Sequence, residues 1–275
     1  MPLKASAPAA RFQQAMLTKN TIKHIRSLSQ KKFRDASRSF IAEGPKVVGD
    51  LLPLFPCRQL FATPGCLQQF ESDGVLSRAD IGETVGVSQQ ELERLSQLKS
   101  PRGALAVFAT PGEEEKAETL AHLPAEALCL ALDGVQDPGN LGTIVRIADW
   151  FGIEHIFCSP DTADAYAPKV VQATMGAIGR VRLHYVALPE FVASLSEGTP
   201  VYGTFLDGEN LYDKTLSAKG LIVMGNEGNG ISPEVAQLVS ERLLIPNYPS
   251  GRNTSESLNV AVATAIICGE FRRRA

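Results

Sequence analysis

LDGVQDPGNLGTIVRIADWFGI, residues 132–153, carries the change of period on which the fold turns. An apolar run over 127–132 ends in a polar corner, and Asp137-Pro138-Gly139 makes a turn. Leu141, Ile144, Val145, Ala148 and Phe151 then recur at helical spacing until Gly152 stops them. Asn140 stands where a helix cap is expected. Strand, loop, helix is the repeating unit of an α/β sheet. Arg146 falls off the apolar stripe, and two readings of it stay open on these residues alone. It pairs on the surface with Asp149 or Trp150 at helical spacing, or it holds a phosphate at the mouth of a crevice by bidentate hydrogen bonds.

The same unit repeats outward from this stretch. Apolar runs at 155–158, 181–186, 201–206, 220–224 and 242–246 alternate with helical patterns, which predicts a mostly parallel sheet with helices on both faces. In such a sheet ligands sit beyond the carboxyl ends of the strands, so the loops there carry the chemistry. In GLIVMGNEGNGISPEV, 220–235, a strand runs into Gly225, Gly228 and Gly230, which allow close backbone approach to a ligand, and Ser232-Pro233 opens a helix. The glycine spacing fits neither a dinucleotide fingerprint nor a P-loop. Glu227, held between glycines, either anchors the loop or orients a substrate group. In LLIPNYPSGRNTSESLNVAVATAIICGEF, 243–271, a strand ends at Ile245-Pro246, and Ser257 and Asn259 stand at the mouth of a very apolar helix. That helix is expected to be buried within the domain or against a second copy of the chain. Ser257 reads as a helix cap; with no G-x-S-x-G elbow and no histidine partner in view, it does not read as a hydrolase nucleophile.

Upstream, FIAEGPKVVGDLLPLF reads as a short strand, a Glu43-Gly44-Pro45 corner and an apolar helix, and further apolar runs at 57–62, 85–87 and 105–108 predict a small α/β domain. The acidic, Pro-bounded stretch 110–127 is the expected linker, with domains at 1–109 and 128–275. The first forty residues read as helix, with Ile22, Ile25, Leu28 and Phe33 turned inward and Lys23, Arg26, Lys31 and Arg34 on the solvated side. They hold nine basic side chains against the single acid Asp35, while the whole chain of 275 residues has 27 basic and 30 acidic groups. Such a segment neutralises phosphates without sequence preference, or is a solvated amphipathic face.

At 44% hydrophobic and 21% charged residues, the chain has the composition of a globular protein with a sizeable core, which excludes peptide hormones, disulfide miniproteins and disordered scaffolds. No apolar run is long enough to span a bilayer and the start lacks a signal-peptide core, so the expected address is the cytoplasm without membrane attachment. Five scattered cysteines, Cys57, Cys66, Cys129, Cys158 and Cys268, form no C-x-x-C pair and lie far in sequence from the histidines; no metal site is expected, and the odd count suits a reducing compartment.

Three motifs taken in order carry a resemblance: N-L-G-x-x-x-R at 140–146, M-G-N-E-G at 224–228, and I-P at 245–246 followed by S-L-N-V at 257–260. Together they resemble the SpoU-type RNA 2′-O-ribose methyltransferases, the TrmH family of the SPOUT superfamily, over nearly all of 128–272. Residues 1–109, with FIAEGPKVV and SPRGALAVF, are similar to the ribosomal-protein-like α/β domain that family members acting on ribosomal RNA carry before the catalytic one. The resemblance implies a carboxyl-terminal trefoil knot, S-adenosylmethionine as methyl donor, and a homodimer with the active site across the subunit interface. It implies catalytic positions at Asn140, Arg146, Glu227, Ser257 and Asn259, and cofactor contacts at Thr204, Gly225, Ile245 and Leu258. Lys23, Arg26, Lys31, Lys32 and Arg34 become candidate RNA contacts, with ribosomal RNA favoured and tRNA as alternative.

A guanidinium keeps its proton at ordinary pH. Arg146 is therefore expected to clamp the phosphate beside the target ribose while that phosphate or a water takes the proton. Asn140, Ser257 and Asn259 would fix the loops and the hydroxyl, and Glu227 would hold Arg146 or a backbone amide. The loop NYPSGRNTSE, 247–256, is about four residues longer than is common in the family, which leaves the partners of Asn247, Arg252 and Asn253 open. Two rival readings share the fold: an RNA-binding protein without methyl transfer, and an enzyme that methylates a base nitrogen.

Overall fold

A computed structural model describes residues 17–112, 116–249 and 257–273. The chain divides into two units, Met1–Thr110 and Pro111–Ala275. The first contains α1 (Lys19–Ser27), α2 (Lys31–Ser37), β1 (Ser39–Glu43), α3 (Pro45–Leu51), β2 (Cys57–Ala62), α4 (Pro64–Ser72), β3 (Ile81–Gly86), α5 (Gln89–Leu95) and β4 (Ala104–Ala109). Its sheet has the order β1-β4-β2-β3, with β4 antiparallel to both neighbours and β2 parallel to β3. Alternation along the strands sends Ile41, Phe61, Leu105 and Val107 to a core shared with Ile25, Leu28, Leu92 and Leu95. On other packing lines Phe40 stacks on Phe108, with centroids 5.5 Å apart, and meets Phe55 edge-on.

The basic segment corrects the expectation of one continuous helix. A turn after Leu28 separates α1 from α2, and Ser39 already begins β1. That break resets the helical phase, so positions extrapolated across it swap sides. Phe33 is 40% exposed, whereas Arg34, expected on the solvated side, is 4% exposed. The Arg34 guanidinium donates to the carbonyls of Leu28 and Ser29, at 2.9 and 2.8 Å, satisfying backbone acceptors that α1 leaves open at its end. Lys23, Arg26, Lys31 and Lys32 do face solvent. Lys4 and Arg11 lie outside the described residues.

The second unit contains α6 (Ala117–Leu120), α7 (Leu123–Glu126), β5 (Leu128–Asp133), α8 (Pro138–Trp150), β6 (His155–Cys158), α9 (Pro168–Thr174), β7 (Arg182–Tyr185), α10 (Leu188–Ala193), β8 (Val201–Asn210), β9 (Gly220–Gly225), α11 (Pro233–Ala236), β10 (Glu241–Leu244) and α12 (Val260–Arg273). Its six strands take the order β10-β8-β9-β5-β6-β7, and every pairing is parallel. Successive residues of the central strands serve opposite cores. Leu128, Leu130 and Leu132 of β5 join Ile222 and Met224 of β9 against α8, α9 and α12, while Cys129, Ala131, Leu221 and Val223 meet α10 and α11. Burial on both faces is why these strands read as continuous apolar runs. Leu120 and Ala121, inside the stretch 110–127 read as a linker, belong to that second core. No helix among the described residues is long and apolar enough to cross a membrane.

Three local features set the carboxyl end of this sheet. From β5 the chain moves to one side through β6 and β7, and from β9 to the other through β10, so the β5–β9 boundary is a switch point. Pairing of β8 with β10 skips from Gly203 to Glu209 between Arg242 and Leu243, which frees Thr204 to Gly208 from regular pairing. Gly142 lies where α8 crosses α9: a Cβ there would stand 2.4 Å from that of Ala173 and 3.1 Å from the Val170 carbonyl oxygen. The glycine of the N-L-G motif thus serves helix packing. Gly142→Val forces these helices apart at a cost of roughly 1–3 kcal/mol, a loss of roughly 3–10 °C in the unfolding midpoint. An unchanged midpoint in a thermal melt contradicts this packing.

Candidate active site

β5 ends at Asp133, whose carboxylate accepts from the Ser232 backbone N–H at 2.7 Å. Asp137, and not Asn140, is the cap of α8: its Oδ1 accepts from the Asn140 backbone N–H at 2.8 Å. An aspartate at this position satisfies an open donor of the first turn and places negative charge at the positive end of the helix. Relieved of capping, the Asn140 side chain points to the other two loops. Its Nδ2 donates to Glu227 Oε1 at 2.7 Å, and its Oδ1 accepts from Asn259 Nδ2 at 3.0 Å. Three motifs far apart in sequence meet through one primary amide.

In the loop after β9 the glycines answer to the loop's own backbone. A Cβ on Gly225 would lie 2.3 Å from the Gly230 carbonyl carbon and 2.4 Å from the Ile231 nitrogen, and Gly230 has φ +71°. Gly225 thus admits the returning chain, and Gly230 turns it. Asn226 and Gly230 exchange two backbone hydrogen bonds, both 2.9 Å. Glu227, exposed at the tip, holds Asn140; among the described residues this bond stands where a contact to Arg146 or to a backbone amide was expected.

At the third loop Asn259 is the residue that caps α12, its Oδ1 accepting from the N–H groups of Ala261 and Val262 at 3.0 and 3.2 Å. This corrects the reading of Ser257 as cap. Asn259 uses its oxygen for the helix and its nitrogen for Asn140, which fixes the side chain from both ends. Arg252 and Asn253 lie outside the described residues.

A cavity of about 580 Å³ opens between the loop after β9, the ends of β8 and β10, and the start of α12. Thr204, Gly225, Ile245 and Leu258 line it, together with Ser257, Glu227 and the freed β8 residues Phe205 and Leu206. Asn140 and Asn259 reach that wall through Glu227. Against the lining residue Phe205, the Arg242 guanidinium sits 3.4 Å from the ring centroid and pairs with Asp207 at 2.6 Å. The lining offers apolar surface from Met224, Ile245 and Leu258, backbone groups of a glycine loop, and one carboxylate.

Arg146 projects into solvent from α8 and makes no hydrogen bond or ion pair among the described residues. The surface pair with Asp149 is not formed, because Arg180 grips Asp149 through two bonds of 2.9 and 2.7 Å. Trp150 is 85% exposed and makes no cation–π contact with Arg146. Sequence reasoning missed Asn226, whose side chain staples its loop, and Asp133. Their signal was position, a polar residue at the carboxyl end of a central strand.

Comparison with known proteins follows the same division. Residues 127–269 match the SpoU rRNA Methylase family, and residues 19–106 match the MRM3-like substrate binding domain. A solved putative RNA methyltransferase of the TrmH family from Porphyromonas gingivalis is 44% identical with a TM-score of 0.83, covering 95% of this chain and 100% of that one. An AdoMet-bound rRNA methyltransferase from Sinorhizobium meliloti is 30% identical with a TM-score of 0.79, covering 94% and 95%. The 23S rRNA (guanosine(2553)-2′-O)-methyltransferase RlmP of Bacillus subtilis is 29% identical, covering 91% of this chain and 95% of its own. With a family match over more than half its length, and with the three matching motifs joined through the Asn140 side chain, the chain belongs to the SpoU rRNA methylase family.

Proposed function

We propose that the protein is an S-adenosylmethionine-dependent methyltransferase that modifies a ribose 2′-hydroxyl in structured RNA, with ribosomal RNA as substrate and the cytoplasm as its place of work. The observation that carries this reading is the Glu227–Asn140–Asn259 chain beside a cavity lined by Thr204, Gly225, Ile245 and Leu258. The cavity suits the donor: its apolar side chains would accommodate a purine and an aliphatic chain, and the loop 225–230 offers peptide groups where a Cβ is barred at Gly225. When bound, S-adenosylmethionine supplies a sulfonium methyl carbon open to in-line attack. AdoMet-bound and 2′-O-specific relatives support the assignment. The carboxyl-terminal trefoil knot that the resemblance implies belongs to the same proposal.

The residues divide the work by what their bonding leaves free. Asn140 has spent one N–H on Glu227 and its oxygen on Asn259, so its second N–H is available to the ribose. Glu227 keeps Oε2 and Asn259 one N–H for the same purpose. Together they orient the hydroxyl oxygen toward the methyl carbon, and orientation supplies a large part of such a rate. Ser257 lines the cavity beside Leu258 and assists in that placement.

Arg146 clamps the neighbouring RNA phosphate, and that phosphate or a water accepts the hydroxyl proton. It lies six residues along α8 from Asn140, about 9 Å up the axis and turned well away from it. Its reach therefore suits a second protomer's site, in a homodimer that covers the exposed Leu258, Val262 and Trp150. In the first unit, Lys23, Arg26, Lys31 and Lys32 meet RNA phosphates; buried Arg34 leaves that set.

The reading is tested by labelled methyl transfer to ribosomal RNA, followed by nuclease digestion and mass spectrometry. A 2′-O-methylated nucleoside is the expected product, while a methylated base or no incorporation contradicts it. Mapping methylated riboses in cells with and without the gene names the nucleotide. Arg146→Lys is expected to retain cofactor affinity and lose turnover by about a hundredfold, since a single ammonium cannot reproduce a bidentate phosphate grip; full activity contradicts the clamp. Reversing Lys23, Arg26, Lys31 and Lys32 to glutamate is expected to weaken RNA binding and flatten its salt dependence by roughly 0.7–0.9 in log–log slope per lost phosphate contact. An unchanged slope returns these residues to a merely solvated face.

A further inference from the structure

We propose that Asn226 and Ser159 are positioning residues for the methyl-donor loop, acting from two different strand ends on the single residue Gly134 between them. The inference rests on the reading above that the cavity takes S-adenosylmethionine. Gly134 follows β5 with φ +73°, a conformation that sends its N–H and its carbonyl to different neighbours. Its N–H donates to Ser159 Oγ at 2.8 Å, just beyond β6. Ser159 in turn donates to Asp161 Oδ1 at 2.5 Å and lies 3.1 Å from Thr162 Oγ1, which bonds the Leu132 carbonyl at 3.1 Å. On the opposite side, the Gly134 carbonyl accepts from Asn226 Nδ2 at 2.7 Å, just beyond β9.

Asn226 completes the chain of bonds within the donor loop itself. Its Oδ1 accepts from the N–H groups of Gly228 and Asn229 at 2.9 and 3.0 Å, which curls the loop and leaves Glu227 at its tip, facing Asn140. The position demands a donor toward a carbonyl and an acceptor toward two amides from one short side chain. Asparagine alone among short residues supplies both on a planar group, whereas aspartate supplies only acceptors. Asn226 also lines the cavity. Ser159 is buried, so its hydroxyl works on Gly134 and Asp161 and not on solvent. The ends of β5, β6 and β9 are thereby held in one register, and the loop that receives the donor is preformed. A Cβ at Gly134 would stand 3.0 Å from Asp161 Oδ2, which makes this glycine part of the same clamp.

The decisive variant is Asn226→Asp, which keeps an oxygen for Gly228 and Asn229 but sets a carboxylate oxygen against the Gly134 carbonyl. Binding of S-adenosylhomocysteine, the product the proposed reaction leaves, is measured by calorimetry on the full chain. At about pH 8 the variant is expected to bind about tenfold more weakly than the parent, with RNA affinity unchanged. Lowering the pH toward about 5.5 protonates the introduced carboxyl, whose pKa is raised by the facing carbonyl; its O–H then replaces the lost N–H donor, and affinity recovers toward the parent value. Asp133, Asp161 and Glu227 face the same loops and are common to both proteins, so the ratio of variant to parent at each pH isolates the substituted group. Ser159→Ala, a milder change that keeps the fold testable, is expected to raise the Michaelis constant for the methyl donor roughly threefold or more while leaving that for RNA unchanged. Parent-like binding of either folded variant, or a loss in Asn226→Asp that acid does not reverse, overturns the clamp. A parent protein that does not bind S-adenosylhomocysteine overturns the methyltransferase reading instead.

Discussion

The second unit depends on one primary amide being satisfied from both ends. Asn140 bonds Glu227 and Asn259, which stand 87 and 119 residues away in the chain. Each bond contributes about 0.5–1.5 kcal/mol net, and the one to the Glu227 carboxylate falls at or above the upper end. Neither would form without the parallel sheet that places the ends of β5 and β9 side by side. Register in the buried strands therefore becomes geometry at the site: a slip of one residue in β9 would invert Leu221 to Met224 between the two cores and carry Glu227 away from Asn140.

The same economy of side-chain atoms runs through the other loops. Asp137 caps α8 so that Asn140 does not have to. Asn259 caps α12 with its oxygen and still has a nitrogen for Asn140. Asn226 closes its own loop and ties it to Gly134. Arg272 acts likewise at the far end of α8, donating to the carbonyls of Phe151 and Gly152 at 2.7 and 3.0 Å. Polar residues with two functional ends thus replace additional core as the means of fixing loops at the edge of the sheet. Only Arg146, the one strongly charged member of the motif set without such a tie among the described residues, remains directed outward, an orientation that suits the phosphate-gripping role proposed for it.

Much of this was legible in the residues. The strands at 57–62 and 155–158 appear where apolar runs and turn signals placed them, and the four cofactor candidates line one cavity. Period and turn chemistry are local, so they survive without knowledge of the fold. The misreadings share a different origin. Choosing between Asp137 and Asn140 as cap, or between Ser257 and Asn259, requires knowing the first helical residue, and a shift of a few positions changes every role in the loop. Arg34 reads as surface because the turn after Leu28 was invisible in the spacing of apolar residues. Gly142 and Gly225 are explained by neighbours distant in sequence, Ala173 in one case and Gly230 with Ile231 in the other, and a Cβ clash leaves no mark on local pattern. Asn226 was hidden by its motif neighbours, since its partner Gly134 lies 92 residues away.

Coupling of the three loops to methyl transfer requires Asn140 and Glu227 to act as one unit at the site. A double-mutant cycle on turnover, using Asn140→Ala, Glu227→Ala and the combined variant with ribosomal RNA as substrate, measures this directly. If the bond between them positions the ribose hydroxyl, the combined variant is scarcely slower than the worse single variant. Strictly multiplicative losses would mean that the two side chains work independently, and the convergence of the three loops would not be what drives methyl transfer.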